Sequence, residues 1–256
     1  MATKSITQEE LIFGHPKGLF ILFFTELWER FSYYGMRALL TLYIATSATA
    51  IDPGLGWSSK DAIWLYGWYT MLVYVASIPG GWIADKYIGQ KKAVMYGGFL
   101  LCLGHGVLAI NSPIAFFSGL VLIILGVGSL KPNISTMVGG LYPQGDPRRD
   151  SGFTIFYIGI NIGAFLSSLI VGVVAYKYGW HYGFGLAGIG MLFGQAVFIY
   201  GQKYLTEVGN FLGNSKNKED SELMKKPLTK IEKDRVIVLL ISFLIVIVFW
   251  GAFEQA

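Results

Sequence analysis

Cysteine is almost absent: Cys102 is the single one in 256 residues, and it sits in an apolar run. One thiol excludes a disulfide framework and a cysteine-built metal site. Charge is scarce as well. Asp, Glu, Lys and Arg supply 14% of the chain, against roughly 25% in a soluble domain, while 54% is hydrophobic. That leaves too little charge to coat a water-exposed surface, so the class is an integral membrane protein. Histidine is sparse and scattered. His15, His105 and His181 fall in a tail, a span and an outer turn without ligand spacing, so neither a metal, a cofactor nor enzyme chemistry is expected. The opening "MATKSITQEELIFGHPKG" contains acids and no small-residue cleavage site, which argues against a cleaved signal peptide.

What the chain has is long hydrophobic runs. A helix needs about 20 apolar residues to cross a bilayer core. Seven runs qualify: Gly18–Ser47, Asp61–Ala84, Lys92–Ile110, Pro113–Gly139, Gly152–Tyr176, Gly183–Tyr204 and Val236–Ala256. The first six are joined by short polar turns. Between the sixth and seventh lies "TEVGNFLGNSKNKEDSELMKKPLTKIEKDR", charged and poor in aromatics, which reads as an aqueous linker. The expected organisation is a tail over 1–17, a six-helix bundle over 18–205, a linker over 206–235 and a seventh helix over 236–256. Because that last span ends without a turn or a basic anchor, the chain is expected to be the N-terminal portion of a longer protein. Six spans, a linker and a further span suggest a transporter of two repeating halves.

Orientation follows from the cations. Of 20 Lys and Arg, 15 cluster at one set of span ends, two (Lys60 and Lys177) lie at the opposite ends, and three lie within spans. The first set is expected to be cytoplasmic, with the N-terminus inside a cell (inner) membrane. The pI near 9.0 therefore reflects topology, and the expected partner is the lipid bilayer, not nucleic acid. Glycines recur at packing distances in "GGFLLCLGHG" and "GFGLAGIGMLFG", as suits close approach of membrane helices.

The stretch "ELWERFSYYGMRALLTLYI" places charge where charge is most expensive. On a helix, Glu26, Glu29, Arg30, Tyr33, Tyr34 and Arg37 follow one another at i, i+3, i+4, i+7, i+8 and i+11, a single stripe down one face. Each intramembrane charge costs about 2.5–3.5 kcal/mol, so four unpaired ones would cost roughly 10–14 kcal/mol. They must be paired or hydrated, and function is the default reason for them. A local ion-pair staple is the simpler account, but it needs neither Arg37 nor the tyrosine pair. Lys131 in "GVGSLKPNIS" and Glu254 in "FWGAFEQA" complete a set of three acids and three bases within spans. A neutral, highly ionised cavity suits a zwitterionic ligand, and acids beside bases suit proton coupling. "GVGSLK" lacks the ending of a phosphate loop and follows no strand. In "IPGGWIADKYIGQKK", Pro79, Gly80 and Gly81 are expected to loosen the helix, and Asp85 with Lys86, Lys91 and Lys92 to latch helix ends.

These residues resemble a known family. "ELWERFSYYG" is similar to the first-helix signature of the proton-dependent oligopeptide transporters, within the major facilitator superfamily. "GGWIADKYIGQKK" resembles the superfamily signature between helices two and three, and "FTIFYIGINIGAF" the family's fifth-helix signature. "LKPN" and "FWGAFEQ" resemble its fourth- and seventh-helix site segments. The resemblance implies an all-α membrane protein of the major facilitator fold, comprising the N-terminal six-helix bundle and the first helix of the C-terminal bundle. It implies import of di- and tripeptides driven by protons through alternating access. Arg37 and Lys131 would receive the peptide carboxylate, Tyr33, Tyr34 and Tyr74 would shape the backbone pocket, and Asn161 would bond the peptide backbone. Trp250 would wall a side-chain pocket, Glu254 would pair with Lys131, and Glu26, Glu29 and Arg30 would couple to protons. Pro79, Gly80 and Asp85 would serve gating. Many bacterial members insert a helix pair where this chain has its hydrophilic linker. Relatives of the same fold that carry nitrate or an amino-acid derivative are the alternative, and a membrane-embedded enzyme or receptor fits the charge balance less well.

Overall fold

The computed structural model describes residues 11–211 and 229–253. Among these, a two-residue hairpin, β1 (Leu11–Ile12) and β2 (His15–Pro16), precedes seven α-helices. They are α1 (Lys17–Ala45), α2 (Ser59–Ile83), α3 (Gln90–Leu108), α4 (Pro113–Gly140), α5 (Arg148–Tyr178), α6 (Trp180–Gly201) and α7 (Lys230–Phe253). The chain forms two compact units, 1–211 and 212–256, so α7 is described by itself.

The sequence explains where the helices start. Ser58 caps α2, its hydroxyl accepting from the Asp61 amide at 3.1 Å. Pro113 begins α4, where a missing N–H costs nothing. α7 opens on Thr229, whose hydroxyl accepts from the Glu232 amide at 3.3 Å, while Glu232 Oε2 accepts from the Thr229 amide at 2.8 Å. This reciprocal capping box extends the helix six residues before the apolar run expected from Val236.

Among the described residues, four helices are long and apolar enough to cross a membrane by length and composition alone: α4, α5, α6 extended to Tyr204, and α7. The other three expected spans fall short for visible reasons. Charges interrupt α1, Trp and Tyr crowd α2, and Lys91, Lys92 and His105 lower the hydropathy of α3.

Within the first unit the main contacts run α2 to α4, α4 to α3, α3 to α6 and α6 to α1, with α5 against α1 and α6, and α2 closing weakly on α1. α3 and α4 meet antiparallel through paired glycines. A Cβ on Gly97 would stand 2.7 Å from the Gly126 carbonyl oxygen, and one on Gly104 would stand 3.0 Å from that of Gly119. Because the residue numbers of each pair add to the same value, a seven-residue repeat on each helix keeps both pairs in register. This is the close approach that small residues permit where lipid offers no hydrophobic drive.

α1 is the central helix. Gly159 and Gly163 of α5 bring Phe23, Leu27 and the Arg30 Cβ into contact, and Gly190 and Gly194 of α6 receive Phe31 and Trp28. Leu19, Leu22, Met36, Leu40 and Ile44 are wholly buried. The helix that carries the charges is thus held on most of its circumference by protein.

The loop after α1 folds back on its end, with Leu55 N donating to Tyr43 O and Trp57 N to Ile44 O at 3.1 and 3.0 Å. Asp52 in that loop reaches the start of α6: its carboxylate accepts from Trp180 N at 2.8 Å and its carbonyl from Trp180 Nε1 at 3.2 Å. At the opposite, lysine-rich end, His15 Nδ1 lies 2.8 Å from the Tyr142 hydroxyl, and Arg148 donates to Gly14 O at 2.9 Å. The hairpin is thereby tied to the turn between α4 and α5.

Candidate functional site

The stripe on α1 divides in two. Glu26, Glu29 and Arg30 are 2%, 0% and 3% exposed, so this portion is sealed within the first unit and does not line an open wall. Arg37 and Tyr34 are half-buried, and Tyr33 is buried against Tyr34 with ring centres 5.6 Å apart. One continuous cavity wall, as the spacing alone suggests, is therefore not what the six helices build. The α5 and α6 glycines draw those helices over the Glu26–Arg30 portion and seal it.

In the sealed portion, Arg30 Nε stands 2.9 Å from Glu26 Oε1 and 2.5 Å from Glu29 Oε2. The contacts are close but poorly directed. Among the described residues, Arg30 Nε and Nη2, both Glu29 oxygens and Glu26 Oε2 have no aligned hydrogen-bond partner. Two acids therefore share one guanidinium in a low-dielectric interior. Arg30 also lies over the Tyr33 and Tyr34 rings, at 5.5 and 5.9 Å from their centres.

The other two intramembrane cations rest on α2. Arg37 donates through Nε to the Tyr66 hydroxyl and stacks 5.1 Å above the centre of the same ring. Lys131 Nζ sits 4.4 Å above the Tyr74 ring and lies within Coulombic reach of Glu29, Glu26, Arg30 and Arg37. α4 delivers Lys131 by way of Pro132. Proline has no N–H for the Gly128 carbonyl four residues back, and that carbonyl is where Gly80 of α2 packs, so tightly that a Cβ at Gly80 would collide with it. The two helices approach there, bringing Tyr74 beneath Lys131. The helix survives the proline with side-chain help: Asn133 Nδ2 donates to Ser129 O at 2.7 Å and Thr136 Oγ1 to Pro132 O at 2.9 Å.

Gly80 and Pro79 accordingly differ from expectation. α2 runs unbroken through Pro79 to Ile83, and the loosened segment is the π-helical stretch Ala84–Ile88 beyond it. Gly80 is small because α4 lies against it. The helix-end latch is also made elsewhere. Asp85 is exposed and makes no ion pair among the described residues, whereas Lys91 donates through Nζ to Thr206 O and through its amide to Gly209 O, at 2.7 and 2.8 Å. Lys86 stacks on Trp82 and Tyr87.

Asn161 is exposed on α5, its Nδ2 donating to Tyr157 O at 2.9 Å. One turn from both Asn161 and Lys131, toward the lysine-rich end, a shallow depression between α4 and α5 is lined by Ser135, Phe153, Thr154, Phe156, Tyr157 and Ile160. Trp250 lies on α7 in a cluster with Phe249 and Phe253, at 5.6 and 5.5 Å between ring centres. Glu254 lies outside the described residues.

Sequence reasoning overlooked Tyr66 and Tyr69. The signal was present: Tyr66, Tyr69, Thr70, Val73, Tyr74 and Ser77 repeat on α2 the spacing of the α1 stripe. Tyr69 is 2% exposed, and its hydroxyl has no partner among the described residues. The His15–Tyr142 contact and the Arg148 tie were overlooked too, because they join residues more than 120 positions apart. Arg148 holds Asp146 from two nitrogens, at 3.0 and 2.7 Å, and pulls that carboxyl from 3.8 down to about 2.

Comparison with known proteins places this geometry. The POT family (PTR2) matches residues 91–220. The uncharacterized transporter YclF of Bacillus subtilis (strain 168) is 52% identical over 201 residues, 78% of this chain and 40% of that protein. The di-/tripeptide transporter of Lactococcus lactis subsp. lactis (strain IL1403) is 44% identical over 239 residues, 92% of this chain and 47% of that protein. The chain thus spans less than half the length of these curated relatives. A crystal structure of a mutant of the peptide transporter POT in complex with alafosfalin superposes with a TM-score of 0.76 at 45% identity, covering 94% of this chain and 47% of that one. With that shared architecture and a family match over half of its length, the chain belongs to the POT family and has the all-α, membrane-embedded major facilitator fold of its transporters.

Proposed function

We propose that this chain forms the N-terminal half, and the first helix of the second half, of a proton-coupled symporter that imports di- and tripeptides by alternating access. The carrying observation is the charge arrangement: a sealed pair of acids sharing Arg30, beside two cations, Arg37 and Lys131, that lie over tyrosines of α2. Two buried acids sharing one cation suit coupling to a proton gradient. Two positive groups within reach of one another suit a peptide carboxylate, which accepts charge-assisted hydrogen bonds from both. The naming of relatives as di-/tripeptide transporters supports the same substrate.

In this reading Arg37 and Lys131 receive the carboxylate, Tyr33, Tyr34 and Tyr74 shape the pocket, and Asn161 bonds the peptide backbone. Trp250 walls a side-chain pocket and Glu254 pairs with Lys131 when the second bundle closes. Glu26, Glu29 and Arg30 handle the proton, and Pro79, Gly80 and Asp85 belong to the gating segment. The cytoplasmic tail covers 1–17, the bundle 18–205, the linker 206–235 and the seventh helix 236–256. The lysine-rich ends face the cytoplasm across the cell inner membrane. The partners are the peptide, protons, lipid and the C-terminal helix bundle of the complete transporter, and the activity is transport without catalysis.

Uptake into proteoliposomes containing the complete transporter tests this. An inward proton gradient should drive labelled dipeptide inward, and Arg37→Ala or Lys131→Ala should abolish it. Nitrate uptake without dipeptide uptake would overturn the peptide reading. Normal uptake by either variant would remove that residue from the site.

A further inference from the structure

α1 and α6 run antiparallel along one seam. A Cβ on Gly18 would stand 3.0 Å from the Tyr204 carbonyl oxygen, one on Gly201 would collide with Ile21, and one on Gly194 would stand 2.9 Å from the Trp28 Cβ. The residue numbers of each pair add to the same value, so one register fixes the seam up to its lysine-rich end. There it brings Lys17, the first residue of α1, beside Tyr204, the last residue of the extended α6. Lys17 Nζ lies 5.8 Å from the centre of the Tyr204 ring, and Lys203 Nζ lies 5.0 Å from the same centre.

Two ammoniums at one ring call for an anion. The ring stabilises each charge without neutralising it, and the two cations repel one another. Among the described residues neither lysine forms an ion pair. Glu207, four residues beyond Lys203, instead accepts from Asn210 Nδ2 at 2.9 Å. The surroundings are those of a membrane boundary. Tyr204 is 41% exposed, and Tyr200 one turn before it, Phe24 two turns into α1 and Phe13 at the hairpin tip are exposed too. Phe13 takes φ +49°, a strained conformation for an aromatic residue, with its ring edge-on to Phe20 at 6.2 Å. Lysines and aromatic rings at headgroup depth, above exposed apolar helix sides, match a molecule that is anionic at one end and hydrocarbon at the other.

We propose that Lys17, Lys203 and Tyr204 form a headgroup site for an anionic phospholipid. Its phosphate meets the two ammoniums, and its acyl chains follow the exposed side of the α1–α6 seam. The lipid neutralises the lysine pair and ties the start of α1 to the end of α6. The site is independent of which solute is transported.

The test uses the complete transporter in phosphatidylcholine liposomes doped with a small fraction of photoreactive lipid. The lipid carries a diazirine near the head of one acyl chain and is either phosphatidylglycerol or phosphatidylcholine. After illumination, peptide mapping should find phosphatidylglycerol on the segments Phe20–Phe24 and Tyr200–Leu205 several-fold more than phosphatidylcholine. Lys17→Gln or Lys203→Gln should each lower that labelling about fivefold, the effect of one lysine at a charged membrane surface. Labelling elsewhere on the protein, and labelling by phosphatidylcholine, should not change. Lys92→Gln, which removes a lysine from the same end of the protein, should leave the seam labelling as in wild type. Excess glycerol 3-phosphate should leave it unchanged as well. Equal labelling by the two lipids overturns the proposal, as does unchanged labelling in both lysine variants. An equal loss in Lys92→Gln would assign the effect to diffuse charge, and suppression by glycerol 3-phosphate would assign the site to a small soluble anion; either overturns the lipid site.

Discussion

The ammonium of Lys131 stands 4.4 Å above the centre of the Tyr74 ring, joining α4 to α2 where Gly80 packs on the Gly128 carbonyl. Tyr74 is itself 56% exposed, so the pair forms at a surface of the six-helix unit and not in its core. A ring beneath an ammonium stabilises the charge without neutralising it. The contact thus offsets part of the cost of holding Lys131 charged within a membrane span.

Replacement at Tyr74 should discriminate ring from hydroxyl. Tyr74→Phe keeps the cation–π contact and should leave dipeptide KM within about twofold of wild type if the ring dominates. Tyr74→Leu should cost about 0.5–2 kcal/mol, a rise in KM of roughly 2–30-fold. Uptake assays over a range of dipeptide concentrations measure both. Equal loss in the two variants would assign the effect to the hydroxyl.

The two acids bound to Arg30 should differ from neutral replacements in one process more than another. Glu26→Gln leaves Glu29 to pair with Arg30, so exchange of peptide across the membrane at equal pH should persist while proton-driven accumulation falls. Arg30→Leu is expected to be worse in both, since it strands two buried carboxylates at a cost of about 3–5 kcal/mol. Counterflow and gradient-driven uptake, measured on the same proteoliposomes, give the comparison. Equal loss of both by Glu26→Gln argues against its coupling role.

The α3–α4 seam should tolerate no added volume. Gly126→Val places branched carbons against the Gly97 carbonyl and Leu101, where a Cβ alone would already stand 2.9 and 2.8 Å from its neighbours. The expected loss is at least about 1–3 kcal/mol, visible as a lowered Tm in detergent. Gly106→Ala, where a Cβ meets nothing within 4 Å, should leave Tm nearly unchanged.

The tie from the hairpin to the turn between α4 and α5 should be acid-labile. Arg148 depresses the Asp146 carboxyl from 3.8 to about 2, so its contribution is complete above pH 4 and is lost as pH falls toward 2. Amide exchange at Gly14 and in the turn should accelerate across that window, and Asp146→Asn should show the fast exchange already at neutral pH. Fast exchange in the wild type at neutral pH would show that the tie does not hold.

The helices were legible in the sequence because the physics that selects them is local. An apolar run of bilayer length must satisfy its own backbone, so six helices appear within a few residues of the expected bounds. α7 began early because a threonine and a glutamate three residues apart build a cap that hydropathy does not register. The i, i+3, i+4 stripe was legible for the same reason: a helix turns its own face. What that face meets is another matter. Sequence spacing placed Glu26 and Arg37 on one wall, and only packing showed that Gly163, Gly190 and Gly194 draw α5 and α6 over the Glu26–Arg30 part while Arg37 stays half-buried.

The partners of the cations were decided in the same way. The identities of Arg37, Lys131, Tyr66 and Tyr74 are in the sequence, and so is the matching rhythm of α1 and α2. Which tyrosine lies under which cation depends on helix register, and register is set by contacts such as Gly80 on Gly128 and Gly97 on Gly126 between residues 48 and 29 positions apart. The sequence by itself determined the class, the helices and the charged helix among them, since each follows from local energy in a low-dielectric medium. The tertiary structure alone decided burial and pairing, because close approach is a property of two surfaces and one strand of residues describes only one of them.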